Sequence, residues 1–151
     1  MKDENTLISI DETSITNLIY TIRGKQVMLD SDLAALYQVE TKYLNRQRGR
    51  NSDRFPEDFC FQLTKEEYDF LRCQNVTSKK ESGSGGRRYL PYVFTEQGIA
   101  MLSTVLKSKV ATDVSINIMR TFVEMRKIFL SNQEIFKRLD RVELKQLEAD
   151  R

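Results

Sequence analysis

A run of hydrogen-bond donors, T-K-Y-L-N-R-Q-R-G-R-N, occupies Thr41 to Asn51 and contains four basic residues and no acid. Arginine suits guanine edges and phosphates, asparagine suits adenine edges, and lysine suits phosphates. Helices that carry charge only for solvation usually interleave the two signs. The run therefore favours contact with nucleic acid, and a solvated basic helix face is the alternative that its composition leaves open.

A helical projection divides this run into two sides, at about 100° per residue. A thin apolar side is predicted to dock on the rest of the domain and contains Tyr43, Leu44, Gln47 and Asn51. A donor side is predicted to face the ligand, with Arg48 and Arg50 at its flanks, and contains Lys42, Asn45, Arg46 and Gly49.

A second basic cluster lies in T-S-K-K-E-S-G-S-G-G-R-R, from Thr77 to Arg88, where glycine and serine predict a mobile loop. A basic loop beside a basic helix can act as a wing that touches the phosphate backbone and becomes ordered on contact. The candidate phosphate contacts in this loop and before it are Arg54, Lys79, Lys80, Arg87 and Arg88.

Residues for catalysis and metal binding are scarce. The chain has no histidine, so it has no Ser-His or Cys-His pair, and its two cysteines, Cys60 and Cys73, cannot complete a zinc site. The S-G-S-G-G stretch lacks the G-K-S/T ending of a phosphate-binding loop. We expect no enzyme activity and no cofactor, and both cysteines are expected to pack as small apolar side chains.

Length and composition indicate one domain with an appendage, because the chain has 151 residues, of which 40% are apolar. The net charge of +2 indicates no class of partner by itself. No run approaches the roughly 20 apolar residues that span a membrane, and the N-terminus does not resemble a secretory signal. A cytoplasmic location without membrane association is the default expectation.

The first half of the chain predicts a hairpin followed by two short helices. After a polar lead-in over 1–17, residues 18–22 and 26–29 are β-rich and flank a turn at Gly24. Asp30 is predicted to cap a helix from Ser31, and Thr41 to cap the next one. A short turn between them gives the layout of a helix-turn-helix reader, with the basic run on the second helix.

Strands and further helices are predicted after Pro56. Alternation over residues 59–63 predicts a half-buried strand, and Thr64 with Glu67 forms a capping box. A strand is predicted from Tyr89 to Phe94, where Pro91 indicates an edge or a bulge. Thr95 and Asp113 are predicted to cap the last two helices.

The last helix carries a heptad pattern. Its positions alternate in steps of four and three: Val114, Ile118, Thr121, Met125, Ile128, Asn132, Ile135, Leu139, Val142 and Gln146. We predict that it packs on its own domain up to about residue 128 and self-associates over 131–151, with Asn132 fixing the register. The heptads are still running at L-E-A-D-R, so we expect a longer natural protein or a trimmed chain.

Four segments together resemble a known family. They are I-R-G-K-Q-V-M-L-D-S-D-L-A-A-L-Y, V-E-T-K-Y-L-N-R-Q, R-F-P-E-D-F-C-F-Q-L-T-K-E-E and G-G-R-R-Y-L-P-Y-V-F-T-E-Q-G-I-A-M-L. The chain resembles the phage ORF-six N-terminal domain family, a relative of the KilA-N domain, from about Ile19 to Leu130. Gln38 stands where this family often has a glycine at the turn, and glycine is the usual residue for a left-handed turn position.

This resemblance implies a small α+β DNA-binding domain of phage or prophage type over 18–130, some of whose relatives act as antirepressors or regulators. Its helix-turn-helix-like segment corresponds to residues 31–51. We therefore expect a DNA-binding regulator that forms a homodimer through Ile128, Asn132, Ile135, Leu139 and Val142. The alternative is an antirepressor-like module that binds a repressor or another acidic protein.

Overall fold

A computed structural model of the chain describes residues 15–74 and 89–149, without the side chains of several residues in the last helix. The first strands form the expected hairpin, in which β1 (Ile19–Ile22) pairs antiparallel with β2 (Lys25–Leu29). Arg23 and Gly24 form the turn with φ angles of 56° and 74°. Positive φ at both central residues matches the twist of a two-residue hairpin, so the prediction of a turn at Gly24 is confirmed.

Two short helices follow the hairpin at once, α1 (Asp30–Tyr37) and α2 (Thr41–Arg50). The predicted caps are wrong by one position, because Leu29 and Glu40 occupy the cap positions and Asp30 and Thr41 begin the helices. Gln38 ends α1 in the left-handed conformation, with φ 63°. The amide groups of Gln38 and Val39 donate to Ala35 and Ala34, at 3.2 and 2.9 Å, which satisfies the last carbonyls without a glycine.

The hairpin extends into a four-stranded antiparallel sheet in the described part of the chain. Two short strands, β3 (Cys60–Gln62) and β4 (Tyr92–Thr95), give the order β1-β2-β4-β3. The prediction of an edge strand or bulge at Pro91 is wrong, because β4 is central and pairs with both β2 and β3. Pro91 lies just before β4, where its carbonyl accepts from the amide of Leu63 at 3.0 Å.

Both faces of the sheet are covered. In the two inner strands, β2 and β4, consecutive residues point to opposite faces of the sheet. Met28 and Phe94 therefore join the hydrophobic cluster on one face, and Val27 and Val93 join the cluster on the other. The predicted alternation at β3 holds for Phe61, Gln62 and Leu63, which are buried, exposed and buried, and it is wrong at Cys60, which is buried as well. Burial raises the pKa of the Cys60 thiol to about 12. Cys60 is a free thiol, as is the exposed Cys73.

Three further helices complete the two layers: α3 (Lys65–Gln74), α4 (Glu96–Leu106) and α5 (Lys109–Ala149). The capping box is confirmed, because Glu67 N donates to Thr64 Oγ1 at 3.1 Å and Thr64 N donates to Glu67 Oε1 at 2.8 Å. Thr95 caps α4 as predicted. Asp113 lies inside α5, and the hydroxyl of Ser108 accepts from the amide of Ala111 at the start of that helix.

The long helix α5 packs on the domain only through its first part. Its buried contacts end at Phe122, and an ion pair between Arg126 and Glu96 at 2.5 Å joins it to α4 beyond that point. The lead-in is anchored at its described end, because Ile15 is fully buried. No helix within 15–74 and 89–149 has both the length and the apolar character needed to cross a membrane. The α+β class and the long C-terminal helix are as predicted.

One ion pair joins the hairpin turn to α3 and gives a pH-dependent prediction. The guanidinium of Arg23 donates to both carboxylate oxygens of Glu67, at 2.8 and 3.0 Å. This partner lowers the pKa of Glu67 from 4.5 to about 2. Because the folded chain binds this proton more weakly, the pair stabilises the fold above about pH 4.5, and the stabilisation is lost as pH falls toward 2.

We expect Glu67→Gln to lower the free energy of unfolding by about 1 kcal/mol at neutral pH, since both side chains are partly in water. The deficit should shrink as the pH falls below about 4.5. Urea denaturation at a series of pH values measures this difference. The control is Glu66→Gln, which removes an exposed acid from the same turn. A deficit of the same size for both variants would contradict the role of the pair.

Candidate nucleic-acid interface

Helix α2 has one side against the domain and one side in solvent, but the division differs from the predicted one. Leu44 is fully buried, and α2 packs on α1 and α4. The helical projection was wrong at two positions, because Tyr43 is exposed and Asn45 is half-buried. The docking side is centred on Leu44 and includes Asn45 and Arg48, which contact Asp30 and Tyr92 respectively.

A buried carboxylate accounts for the inward position of Asn45. Asp30 is 1% exposed, and its Oδ2 accepts from Asn45 Nδ2 at 2.9 Å and from the amide of Tyr92 at 3.1 Å. Its Oδ1 accepts from the amide of Ser31 at 2.6 Å. One side chain thereby joins α1, α2 and β4. We call this group of residues, together with Arg48, the Asp30 junction.

Arg48 completes the Asp30 junction. Its Nε donates to Asn45 Oδ1 at 3.3 Å, and its guanidinium lies 3.9 Å from the centroid of the Tyr92 ring. A cation over an aromatic face is an attractive contact. Asn45 and Arg48, two of the donors that the sequence pattern assigned to a ligand, are therefore engaged with the protein itself. Their contacts hold α2 in a defined orientation against β4.

The solvent side of α2 carries three cations, Lys42, Arg46 and Arg50, with the exposed Tyr43 beside them, and we call these four residues the cationic face. These residues and Gly49 fall within about 120° on the helix at about 100° per residue. Among the described residues, none of the ion pairs involves Lys42, Arg46 or Arg50. Their charges are therefore available to an anionic partner.

The start of α2 adds to this positive character. No side chain in the described part of the chain caps the helix, and its first turn contains no acid. The amide groups at a helix N-terminus favour anions through their orientation and the helix dipole. The backbone amides and Lys42 thus present the same sign at this end of the cationic face, and the exposed acid Glu40 at the cap position partly offsets it.

The remaining predicted contacts lie elsewhere. Arg54 is exposed at the end of a short 3-10 helix, Ser52–Arg54, which follows α2. The basic loop falls outside the described residues, and so do its four predicted contacts: Lys79, Lys80, Arg87 and Arg88. The structure therefore brings Lys42, Arg46 and Arg50 onto one face, and the predicted wing stays a prediction.

Apolar side chains continue along α5 after it leaves the domain. The heptad positions from Val114 to Met125 are buried or partly buried, as predicted for that half of the helix, whereas the described ones from Ile128 onward are exposed. The exposed seam consists of Ile128, Asn132, Ile135, Leu139 and Val142. Ile128 is 60% exposed and the other three apolar residues are about half exposed. An exposed apolar stripe of this kind is a candidate surface for a partner.

Two of the segments that carry the family resemblance have a structural reason. In R-F-P-E-D-F, the buried Phe55 meets the Phe94 ring edge-on at 5.9 Å, and the Pro56 carbonyl accepts from the amides of Phe59 and Cys60. In T-E-Q-G, Thr95 binds the carbonyl of Asp58 at 2.8 Å and caps α4. Both segments fix the loop that leads from α2 into the sheet.

Comparison with protein families finds a match over most of the domain. The sequence model of the ORF6N domain matches residues 17–105, from the hairpin to the last turn of α4. No curated protein and no solved structure matches the chain. The family match covers more than half of the chain and includes the hairpin, the α1–α2 pair, the sheet and α4. The chain therefore belongs to the ORF6N domain family, which is consistent with a phage-type regulatory domain.

Proposed function

We propose that this chain is a DNA-binding regulatory protein and that the cationic face of α2 enters the major groove. The observation that carries the proposal is the exposure of Lys42, Arg46 and Arg50 on one face without an internal ion-pair partner among the described residues. α2 is the second helix of a helix-turn-helix-like pair, which is the element that such readers place in the groove.

The residues of α2 have different roles in this proposal. Arg46 lies at the centre of the cationic face, where an arginine can pair with a guanine edge. Lys42 and Arg50 lie a turn away on either side and are suited to phosphates. Asn45 and Arg48 act as positioning residues, because the Asp30 junction holds them against β4. Arg54 and the basic loop extend the phosphate contacts beyond α2.

Random-site selection with the purified chain tests this function. We expect the chain to recover DNA above a control without protein, and a binding site read by two copies should appear as a palindrome. Recovery of DNA without any enriched sequence would indicate binding through the backbone alone. Recovery at the level of the control would contradict DNA binding.

We further propose that two copies associate through the exposed seam of α5. From Ile128 to Ala149 the helix extends about 33 Å at about 1.5 Å per residue, and its apolar stripe follows the heptad spacing of a coiled coil. Asn132 lies within that stripe, where a buried polar residue selects one register. A dimer would present two cationic faces to two half-sites.

We expect Ile135→Asp to convert the dimer to a monomer, because a carboxylate in the seam would be buried without a partner. Sedimentation equilibrium measures the molecular mass of each variant. The matched control is Gln133→Asp, which adds the same charge at an exposed position beside the seam. A wild-type chain that sediments as a monomer would contradict the proposal.

A protein partner is the second candidate, and the same exposed seam favours it. In this case the seam or the cationic face would capture a repressor or another acidic protein, as an antirepressor does. A pull-down with and without nuclease separates the candidates. A partner that remains bound after nuclease treatment supports direct protein contact, whereas a partner that is lost was held through DNA.

A further inference from the structure

A cleft of about 380 Å³ lies between the first turn of α2 and the segment that leads into β4. This volume is within the range of roughly 300–1,000 Å³ that holds small ligands. Tyr89, Leu90 and Tyr92 line one side of the cleft, and Lys42 lines the other. Lys42 also belongs to the cationic face, so the cleft opens beside the proposed DNA-binding surface.

The polar groups of the cleft limit the class of ligand. Asp30 lines it, but its carboxylate oxygens already accept from two backbone amides and from Asn45. Among the described residues, no group of three or more possible ligands could hold a metal ion. The cleft therefore does not suit a metal ion. Lys42 favours an anion instead, and the two tyrosines favour a planar ring.

Tyr89 supplies the most accessible aromatic surface. Its side chain is 75% exposed, whereas Tyr92 is half-buried and carries Arg48 over its ring. Aromatic side chains that stack on bases beside a positively charged surface are the usual means of holding unpaired nucleotides. A nucleotide combines the two features that this cleft favours, a planar base and an anionic phosphate.

We propose that the cleft binds the base of an unstacked nucleotide within a DNA strand, with the adjacent phosphate toward Lys42. The proposal rests on DNA binding by the cationic face, which would bring the strand to the edge of the cleft. Removing a base from the stack costs least where it has no pairing partner. The protein should therefore prefer DNA that contains an unpaired base.

Competition titrations with two short duplexes test this site. One duplex has a single bulged thymidine, the other is identical but fully paired, and thymidine monophosphate serves as the free nucleotide. We expect the wild-type chain to bind the bulged duplex about tenfold more tightly than the paired one, as expected for one base–aromatic stack. Tyr89→Ala should abolish this preference. Phe70→Ala, which removes an exposed ring on α3 that does not line the cleft, should retain it.

The possible failures are distinguishable. Equal binding of both duplexes by the wild-type chain would overturn this inference and leave DNA binding intact, whereas failure to bind either duplex would overturn the proposed function as well. A preference that persists in Tyr89→Ala would show that the base binds elsewhere. Binding of thymidine monophosphate without any preference for the bulge would overturn the assignment to a DNA strand.

Discussion

Replacing Gly98 by alanine is expected to lower the free energy of unfolding by about 3 kcal/mol or more, which is in the upper part of the range for single substitutions. The new Cβ would overlap the carbonyl oxygen of Phe59 and lie 2.9 Å from its carbonyl carbon. That backbone cannot move freely, because the same oxygen accepts from the amide of Thr95 at 3.0 Å. The substitution would thus separate α4 from the loop before β3.

Thermal unfolding followed by circular dichroism measures this effect, and we expect the Tm to fall by roughly 10 °C. Gly49→Ala is the matched control, because nothing lies within 4 Å of the added Cβ in α2. Alanine has a higher helix propensity than glycine, so the free energy of unfolding of this control should rise by up to about 1 kcal/mol. A Gly98→Ala chain as stable as the wild type would disprove the close contact between α4 and Phe59.

Replacing Asp30 by alanine is the second substitution with a large expected effect. It leaves the amides of Ser31 and Tyr92 and the side chain of Asn45 without their acceptor. Since Asp30 is buried, water does not replace these bonds easily. We expect the free energy of unfolding, measured by urea denaturation, to fall by about 2–4 kcal/mol. Affinity for DNA should fall as well, because α2 would lose the hydrogen bonds through Asp30 that help to attach it to β4.

Two further variants show whether the effect depends on hydrogen bonding at the Asp30 junction. Asp30→Asn keeps the shape but places an amide NH2 against a donor, so we expect it to lose nearly as much stability as Asp30→Ala. Asp53→Ala removes an exposed acid after α2 and should change stability by less than about 0.5 kcal/mol. If Asp30→Ala is no less stable than Asp53→Ala, the junction does not hold the fold together.

Features with partners close in sequence could be predicted from the chain alone. The Thr64–Glu67 capping box spans three residues, and Thr95 caps α4 through an amide three residues away. The hairpin turn at Arg23 and Gly24 likewise depends on adjacent residues. In each case the physical cause lies within one helical turn or one hairpin, so the local pattern is sufficient.

Features that depend on distant partners could not be predicted in the same way. Asn45 turns inward because Asp30, 15 residues away, offers an acceptor, and Asp30 in turn binds the amide of Tyr92, 62 residues away. A helical projection takes no account of either contact, so it assigned Asn45 to the donor side and Tyr43 to the docking side. The central position of β4 was missed for a similar reason, because strand order depends on pairing between remote segments.

The central claim is that Lys42 and Arg50 on the cationic face contact DNA phosphates, and the salt dependence of binding tests it most directly. Each phosphate contact contributes about 0.9 to the slope of log K against log salt concentration. We predict that Lys42→Ala/Arg50→Ala lowers the magnitude of this slope by about 2 relative to the wild type. The control is Lys109→Ala/Arg120→Ala, which removes two exposed cations from α5 and should leave the slope unchanged. An unchanged slope for Lys42→Ala/Arg50→Ala would contradict DNA contact by this face of α2.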